Sequence, residues 1–174
     1  MKRGIIAVAA MAAVALFATA GHASQDAFDQ QMNLVLAEYL KIGDTLASDK
    51  MDGVAVAAGA IVTLSAKLDA SGVEPGHAKH YQGIAQKVPE AAKKIQAAAD
   101  IKTARKAFAE LSKPMVMWVE HQSTKPATVV YCSMYPGSWL QKGKDIRNPY
   151  YGAKMLTCGE VVGDGKKDDH SGHH

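Results

Sequence analysis

The chain has 174 residues, 20 of them basic and 17 acidic, a net charge of +3 and two cysteines. Near-balanced charge excludes the basic stripe by which a nucleic-acid binder is read. Two cysteines are too few to staple a disulfide scaffold, so an apolar core must carry the fold.

Lys2 and Arg3 form a short positive segment, and residues 5–17 are apolar and uncharged. Ala18-Thr19-Ala20 and Gly21-His22-Ala23 both offer small-residue cleavage signals. This predicts a secretory signal peptide over residues 1–23. The apolar run is shorter than the ~20 residues a spanning helix needs, so no membrane association is expected once the leader is removed. The mature chain loses two of the 20 basic residues and stands near +1. It retains about 150 residues, enough for one domain, and is expected in the periplasm or secreted.

Residues 24–122 read as four helices. Phe28, Met32, Val35, Leu36, Tyr39, Ile42 and Leu46 recur at steps of three and four, an amphipathic stripe with Asp26 as its N-cap. Ser48-Asp49-Lys50 forms a polar connection that carries another capping residue. Val54, Ala57, Ala58, Ile61, Leu64 and Leu68 mark the second helix. Turn residues at Ser71-Gly72-Val73-Glu74-Pro75-Gly76 then break the pattern. The third helix carries Tyr81, Ile84, Ala85, Val88, Ala92, Ile95 and Ala99, and Pro89 predicts a kink or split near Val88. Asp100 is placed to cap a fourth helix, whose core stripe is Ala104, Phe108, Leu111, Met115 and Trp118. Pro114 should bend it or begin a new turn. The expected fold is all-α, an up-down-up-down four-helix bundle with short connections.

From Ser123 the helical period disappears. Residues 123–162 are read as a loop-rich Cys/Met/aromatic segment of the same domain, packed on the bundle. Residues 127–131 (Ala-Thr-Val-Val-Tyr) could form a short strand. Trp139, Asn148, Tyr150 and Tyr151 are read as architectural. Residues 163–174 are polar, carry three histidines and are expected to be disordered.

Two pairs of sulfur residues flank this segment: Cys132 with Met134, and Met155 with Cys158. One reading is a disulfide between Cys132 and Cys158, common in exported chains. The other is a soft-metal site of Cys132, Met134, Met155 and Cys158, since thiolate and thioether sulfur favour Cu(I) and Ag(I). An extended backbone would put Cys132 and Met134 on one face, and a helical turn would bring Met155 and Cys158 together. His121 and Met117 are weaker candidates for the same site, His121 having the helix C-terminal dipole as its alternative. His170, His173 and His174 in the tail suit weak capture of Cu(II), Ni(II) or Zn(II). His77 and His80, three apart, can share a helix face, though such pairs are most often solvated.

Tyr131-Cys132-x-Met134, Trp139-Leu140-Gln141, Asn148-Pro149-Tyr150-Tyr151-Gly152 and Met155-Leu156-Thr157-Cys158-Gly159 resemble the C-terminal signature of the bacterial "domain of unknown function 3347" family. Tyr39-Leu40-Lys41 and Arg105-Lys106-Ala107-Phe108-Ala109-Glu110-Leu111-Ser112 resemble its helical part, so the resemblance spans roughly residues 27–162. Proteins of that kind occur as small secreted chains and as domains attached to periplasmic adaptor subunits of copper and silver efflux pumps. The resemblance therefore implies a place in periplasmic heavy-metal handling, with an efflux adaptor or metal-handling protein as partner, and it moves the soft-metal reading ahead of the disulfide. Cys132 and Met134 also distantly resemble the Tyr-x-Cys-Pro-Met-His-Pro motif of heavy-metal-binding domains. Here Tyr131 directly precedes Cys132, with Ser133 in place of Pro and Tyr135 in place of His.

An enzyme is not expected. The chain has no phosphate loop, no Gly-x-Ser-x-Gly elbow and no His-Glu-x-x-His, Cys-x-x-Cys or Glu-x-x-His motif. The sequence thus leads to a non-enzymatic, metal-binding protein with copper(I) or a similar soft ion as its only cofactor. The alternative is a disulfide-stabilised helical interaction module.

Overall fold

The computed structural model describes residues 6–163, with side chains from Gln25 onward. The tail histidines His170, His173 and His174 and the side chains of the expected leader lie outside the described residues. Four α-helices come first: α1 (Ile6–Ala47), α2 (Val54–Ser65), α3 (Pro75–Gln96) and α4 (Ile101–Glu120). Strands β1 (Thr128–Cys132) and β2 (Gly137–Gln141), a 3-10 turn over Gly152–Met155 and strand β3 (Glu160–Val161) follow. Among the described residues no helix is long and apolar enough to cross a membrane.

Each helix buries most of the stripe that its spacing predicts, with Leu64, Leu68 and Ala85 only half-buried and Ala99 exposed. Phe28, Met32, Val35, Tyr39, Ile42 and Leu46 of α1 are in the core, as are Tyr81, Ile84, Val88 and Ile95 of α3 and Ala104, Phe108, Leu111, Met115 and Trp118 of α4. Successive helices pack on one another. Rings lock the contacts: Phe28 meets Tyr81 edge-on at 4.8 Å, and Tyr39 stacks on Phe108 at 4.7 Å. Asp29 adds a polar tie, its Oδ1 accepting from Trp118 Nε1 at 2.7 Å and Gln122 Nε2 at 3.0 Å.

Helix boundaries correct several expectations. Asp26 lies inside α1 because the Ala-rich run before it is itself a strong helix former. Gly53, at φ +77, caps α2, and Leu68 lies beyond that helix. Pro75 sits at the first position of α3, where its missing N–H costs nothing, so the turn ends sooner than its residues imply. Pro89 and Pro114 lie inside unbroken helices. Helix α3 stops at Gln96, leaving Ala99 outside it, and Asp100 caps α4 by accepting from Thr103 N at 2.8 Å.

The all-α expectation is corrected by a three-stranded antiparallel sheet of order β2-β1-β3. In β1–β2, Val129 faces Leu140 and Cys132 faces Gly137; in β1–β3, Tyr131 faces Glu160. Thr-Val-Val-Tyr gave β1 a readable signal. Strand β2 carries only two large apolar residues behind Pro136-Gly137, and β3 is two residues long, so neither shows a strand's period. Strand β2 rests on α4 and α1, and the buried Tyr39 hydroxyl joins the layers. It accepts from Leu140 N at 3.2 Å and shares a 2.7 Å hydrogen bond with Ser112.

Candidate functional site

Strand β1 ends at Cys132 and the chain reverses through residues 133–136, which leaves the Cys132 side chain buried at 1% exposure beneath the turn. Pairing of Tyr131 with Glu160 carries the segment before β3 alongside this end of β1. The two sulfurs therefore meet: Cys132 Sγ and Cys158 Sγ are 3.2 Å apart, both as free thiols, with Cys158 half-buried.

Asn148 holds this approach in place. It is fully buried, and its amide serves the backbone around the pair as well as the Cys132 thiol. Its Nδ2 donates to Cys158 O at 2.8 Å, and its Oδ1 accepts from Tyr150 N at 2.9 Å and Tyr151 N at 3.3 Å. Its own N–H donates to Leu156 O at 2.7 Å. Gly159, at φ +154, lets the chain pass under the sheet. A Cβ there would stand 2.8 Å from Trp139 Cη2 and 2.9 Å from Val130 Cγ1.

Arg105 anchors the same segment to the helices. It donates to Pro149 O at 3.0 Å, Leu46 O at 2.7 Å and Asp49 Oδ1 at 2.6 Å. Asp49 in turn accepts from Ala153 N at 2.9 Å. The Arg105 hydrogen bond, with that of Ala153, holds the Asp49 carboxyl below its ordinary range. Asp49, part of the polar connection between α1 and α2, thus serves the C-terminal segment from a left-handed backbone of φ +56. Tyr135 stacks on Tyr150 at 4.5 Å, and Trp139 meets Tyr150 edge-on at 5.6 Å. The Tyr150 hydroxyl donates to Ser138 O at 2.6 Å.

The two thiols are electrostatically unequal. Burial pushes Cys132 up, but the Tyr135 and Met134 backbone N–H groups, the Cys158 thiol and the Asn148 amide outweigh it, and the net shift is downward. Cys158 is raised, chiefly because its thiol hydrogen-bonds Cys132, with burial and the neighbouring charge adding to it. Cys132 is thus the more readily ionised thiol of the pair and Cys158 the less.

The other expected ligands divide. Cys158 N donates to Met155 O at 3.0 Å, so Met155-x-x-Cys158 does form a turn. Cys132-x-Met134 is not extended: the strand stops at Cys132, and Met134 lies in the turn at 62% exposure. His121 caps the C-terminal end of α4. Tyr135, beside the sulfurs, lines a groove with Ile101 and Arg105 at the other end of that helix. His121 and the half-buried Met117 lie 16 and 12 positions beyond Arg105, about 24 and 18 Å along the helix, so neither joins the cysteines. His121 instead meets His80 and His77, at 5.1 and 6.2 Å between ring centres. Among the described residues no three His, Cys, Asp or Glu side chains form a ready metal cluster, so the cysteine pair supplies two such donors.

Sequence reasoning missed Arg105 and Asp49 as supports of this site. Neither shows a local signal, because their partners lie 44 to 104 residues away.

A family model described as "Protein of unknown function (DUF3347)" matches residues 35–126, more than half of the chain. That span covers most of the helical part and ends before Cys132. No curated protein and no solved structure matches.

Proposed function

The chain belongs to this family of unknown function, and from that premise we propose that it is a non-enzymatic periplasmic protein of heavy-metal homeostasis whose Cys132–Cys158 pair holds one Cu(I) or Ag(I) ion. The observation that carries the reading is the 3.2 Å contact between two free thiols, one buried and held toward its thiolate. Two sulfurs on one ion with bonds of about 2.3 Å stand roughly 3.7 Å apart at a tetrahedral angle and 4.6 Å apart when linear. The pair need only open by about 0.5–1.4 Å to admit the ion. Two thiolates suit the low coordination numbers of soft monovalent ions, whereas structural zinc takes four ligands. Met134 and Met155 flank the cysteines in sequence and would supply a third, thioether donor. The helices are proposed to run up-down-up-down, the leader to direct export, and an efflux adaptor or metal-handling protein to exchange ions with the pair.

Anaerobic titration of reduced protein with Cu(I) against a chromophoric chelator tests this. One tightly held equivalent is expected, lost in Cys132→Ser/Cys158→Ser. Equal copper retention by both proteins rejects it.

A second reading is favoured by the same contact. With Cys158 half-buried, an oxidant reaches a pair already nearly at bonding distance. Closing that loop would stabilise the fold by about 3.5 kcal/mol in the loop-entropy account. Mass spectrometry of protein isolated without reductant separates the two. A uniform loss of two hydrogens supports a structural bridge in a helical interaction module, and a reduced population supports the metal site.

A further inference from the structure

The described histidines other than the expected leader's and tail's all gather at one place, away from the cysteines. Pro75 starts α3, so His77 and His80 lie in its first two turns, three residues apart and on one face. Helices α3 and α4 pack together, which brings that end of α3 beside His121 at the C-cap of α4. Three imidazoles from elements some 40 residues apart thereby become neighbours. The centres of the His80 and His121 rings are 5.1 Å apart, and those of His77 and His121 are 6.2 Å apart.

These separations fit a shared ion. With a metal–nitrogen bond of 2.0–2.1 Å, an ion lies about 3.2 Å from the centre of each ring it binds. Two rings then stand about 5 Å apart at a tetrahedral angle and about 6 Å at a wider one. The rings have not yet converged on a common point, and all three are exposed, so side-chain rotation alone completes the approach.

A second feature points the same way. His121 Nδ1 lies 2.7 Å from Met117 O. A carbonyl oxygen can only accept, so Nδ1 carries a proton and Nε2 is the nitrogen left to bind an ion. A ring nitrogen bonded to a backbone carbonyl, with the other left free, is the usual arrangement of a metal-ligating histidine. Met117 and His80 also line one groove of about 560 Å³ between α3 and α4.

We propose that His77, His80 and His121 form a surface site for a borderline divalent cation of the Cu(II), Zn(II) or Ni(II) class, with water completing the coordination. Neutral imidazole selects these ions over soft monovalent ones. The site is independent of the thiol pair, and its ion would clamp the start of α3 to the end of α4.

The test uses the full chain carrying Cys132→Ser, Cys158→Ser, His170→Ala, His173→Ala and His174→Ala, which removes the other candidate donors. Zn(II) is titrated against a chromophoric chelator, and Cu(II) is followed by electron paramagnetic resonance for nitrogen coupling. One equivalent is expected, with affinity falling at least about tenfold in His121→Ala and in His80→Ala. Saturating Zn(II) should raise the thermal midpoint of this background and leave the His77→Ala/His80→Ala/His121→Ala version unmoved. Equal affinity and equal nitrogen coupling with and without the three histidines would overturn the assignment. Because the rings are exposed, circular dichroism should show all variants folded.

Discussion

Asn148→Ala is expected to be among the most damaging single changes in the C-terminal segment. The side chain is 0% exposed, and truncation removes three hydrogen bonds together. Tyr150 N loses its buried acceptor, while Cys158 O and Tyr151 N, both half-buried, can recruit water. A buried polar group left without a partner costs about 1–3 kcal/mol, so roughly 2 kcal/mol is expected. For a domain of this size each kcal/mol moves the thermal midpoint by about 3 °C, so a fall of roughly 6 °C is expected. Thermal unfolding of the reduced protein, followed by circular dichroism, measures it. Asn148→Asp provides a second readout. It keeps an acceptor for Tyr150 N, points a carboxylate at Cys158 O, and replaces a hydrogen-bond donor to Cys132 with a like charge. The Cys132 thiol should therefore become less acidic, visible as thiolate ultraviolet absorbance shifted to higher pH. If Asn148→Ala unfolds within about 2 °C of the unmodified chain, as a neutral surface change would, Asn148 is not what pins the cysteine approach.

Further outcomes follow from the same contacts. Tyr39→Phe leaves Leu140 N without its buried acceptor and should cost about 1–3 kcal/mol in chemical denaturation, whereas an unchanged midpoint would mean that the hydroxyl does not join the layers. Gly152→Ala must adopt φ +59 and drives its Cβ into Asp49 and Arg105, so it should lose more than the ~1–2 kcal/mol of a left-handed alanine; a smaller loss would show that this clamp yields. The unequal thiols predict a pH signature in reduced protein. Cys132, lower when folded than its ordinary value near 9, adds stability as pH rises from its folded pKa toward 9, and that gain disappears on acidification. Cys158, raised, opposes it above 9, where the unfolded thiol ionises first. The thermal midpoint of reduced protein relative to Cys132→Ser/Cys158→Ser should rise with pH and then level or fall; a flat difference across that window would contradict the unequal acidity of the two thiols.

The helical part was legible because its information is local. Phe108, Leu111, Met115 and Trp118 repeat at the helical period, and the core uses all four. Asp100 was readable as a cap because an N-cap needs only its next few residues. Prolines were over-read. Pro75 starts a helix, and Pro89 and Pro114 are carried by helices whose flanking turns are held by packing, a tertiary effect that composition does not reveal. The C-terminal segment was legible in content but not in form. Its aromatics and Asn148 were recognised as architectural, yet β2 and β3 draw their order from pairing with β1 rather than from their own period. The same gap explains the candidate ligands. Spacing joined Met155 to Cys158, a three-residue relation, but the extended backbone it assumed from Cys132 to Met134 is not formed, because the strand ends where the turn begins. It gave no means of learning that His121 faces His77 and His80, more than 40 residues away.

That division of donors bears on how the proposed metal chemistry would work. A site that must both take and give up an ion is served by one fixed ligand and one accessible ligand. Cys132 fits the first role: it is buried at a strand end, and backbone N–H groups offset the burial that opposes its thiolate. Cys158 fits the second: it is half-buried, and its thiol proton must leave before its sulfur can bind. In this reading Cu(I) capture releases protons, so affinity should increase with pH until Cys158 has ionised. Chelator competition at several pH values on Cys132→Ser and Cys158→Ser separately distinguishes the roles. Residual one-sulfur binding should have its midpoint at lower pH when Cys132 is the cysteine retained. Coincident midpoints would mean that the turn does not acidify Cys132, and the unequal division of labour would fail while the shared site could stand.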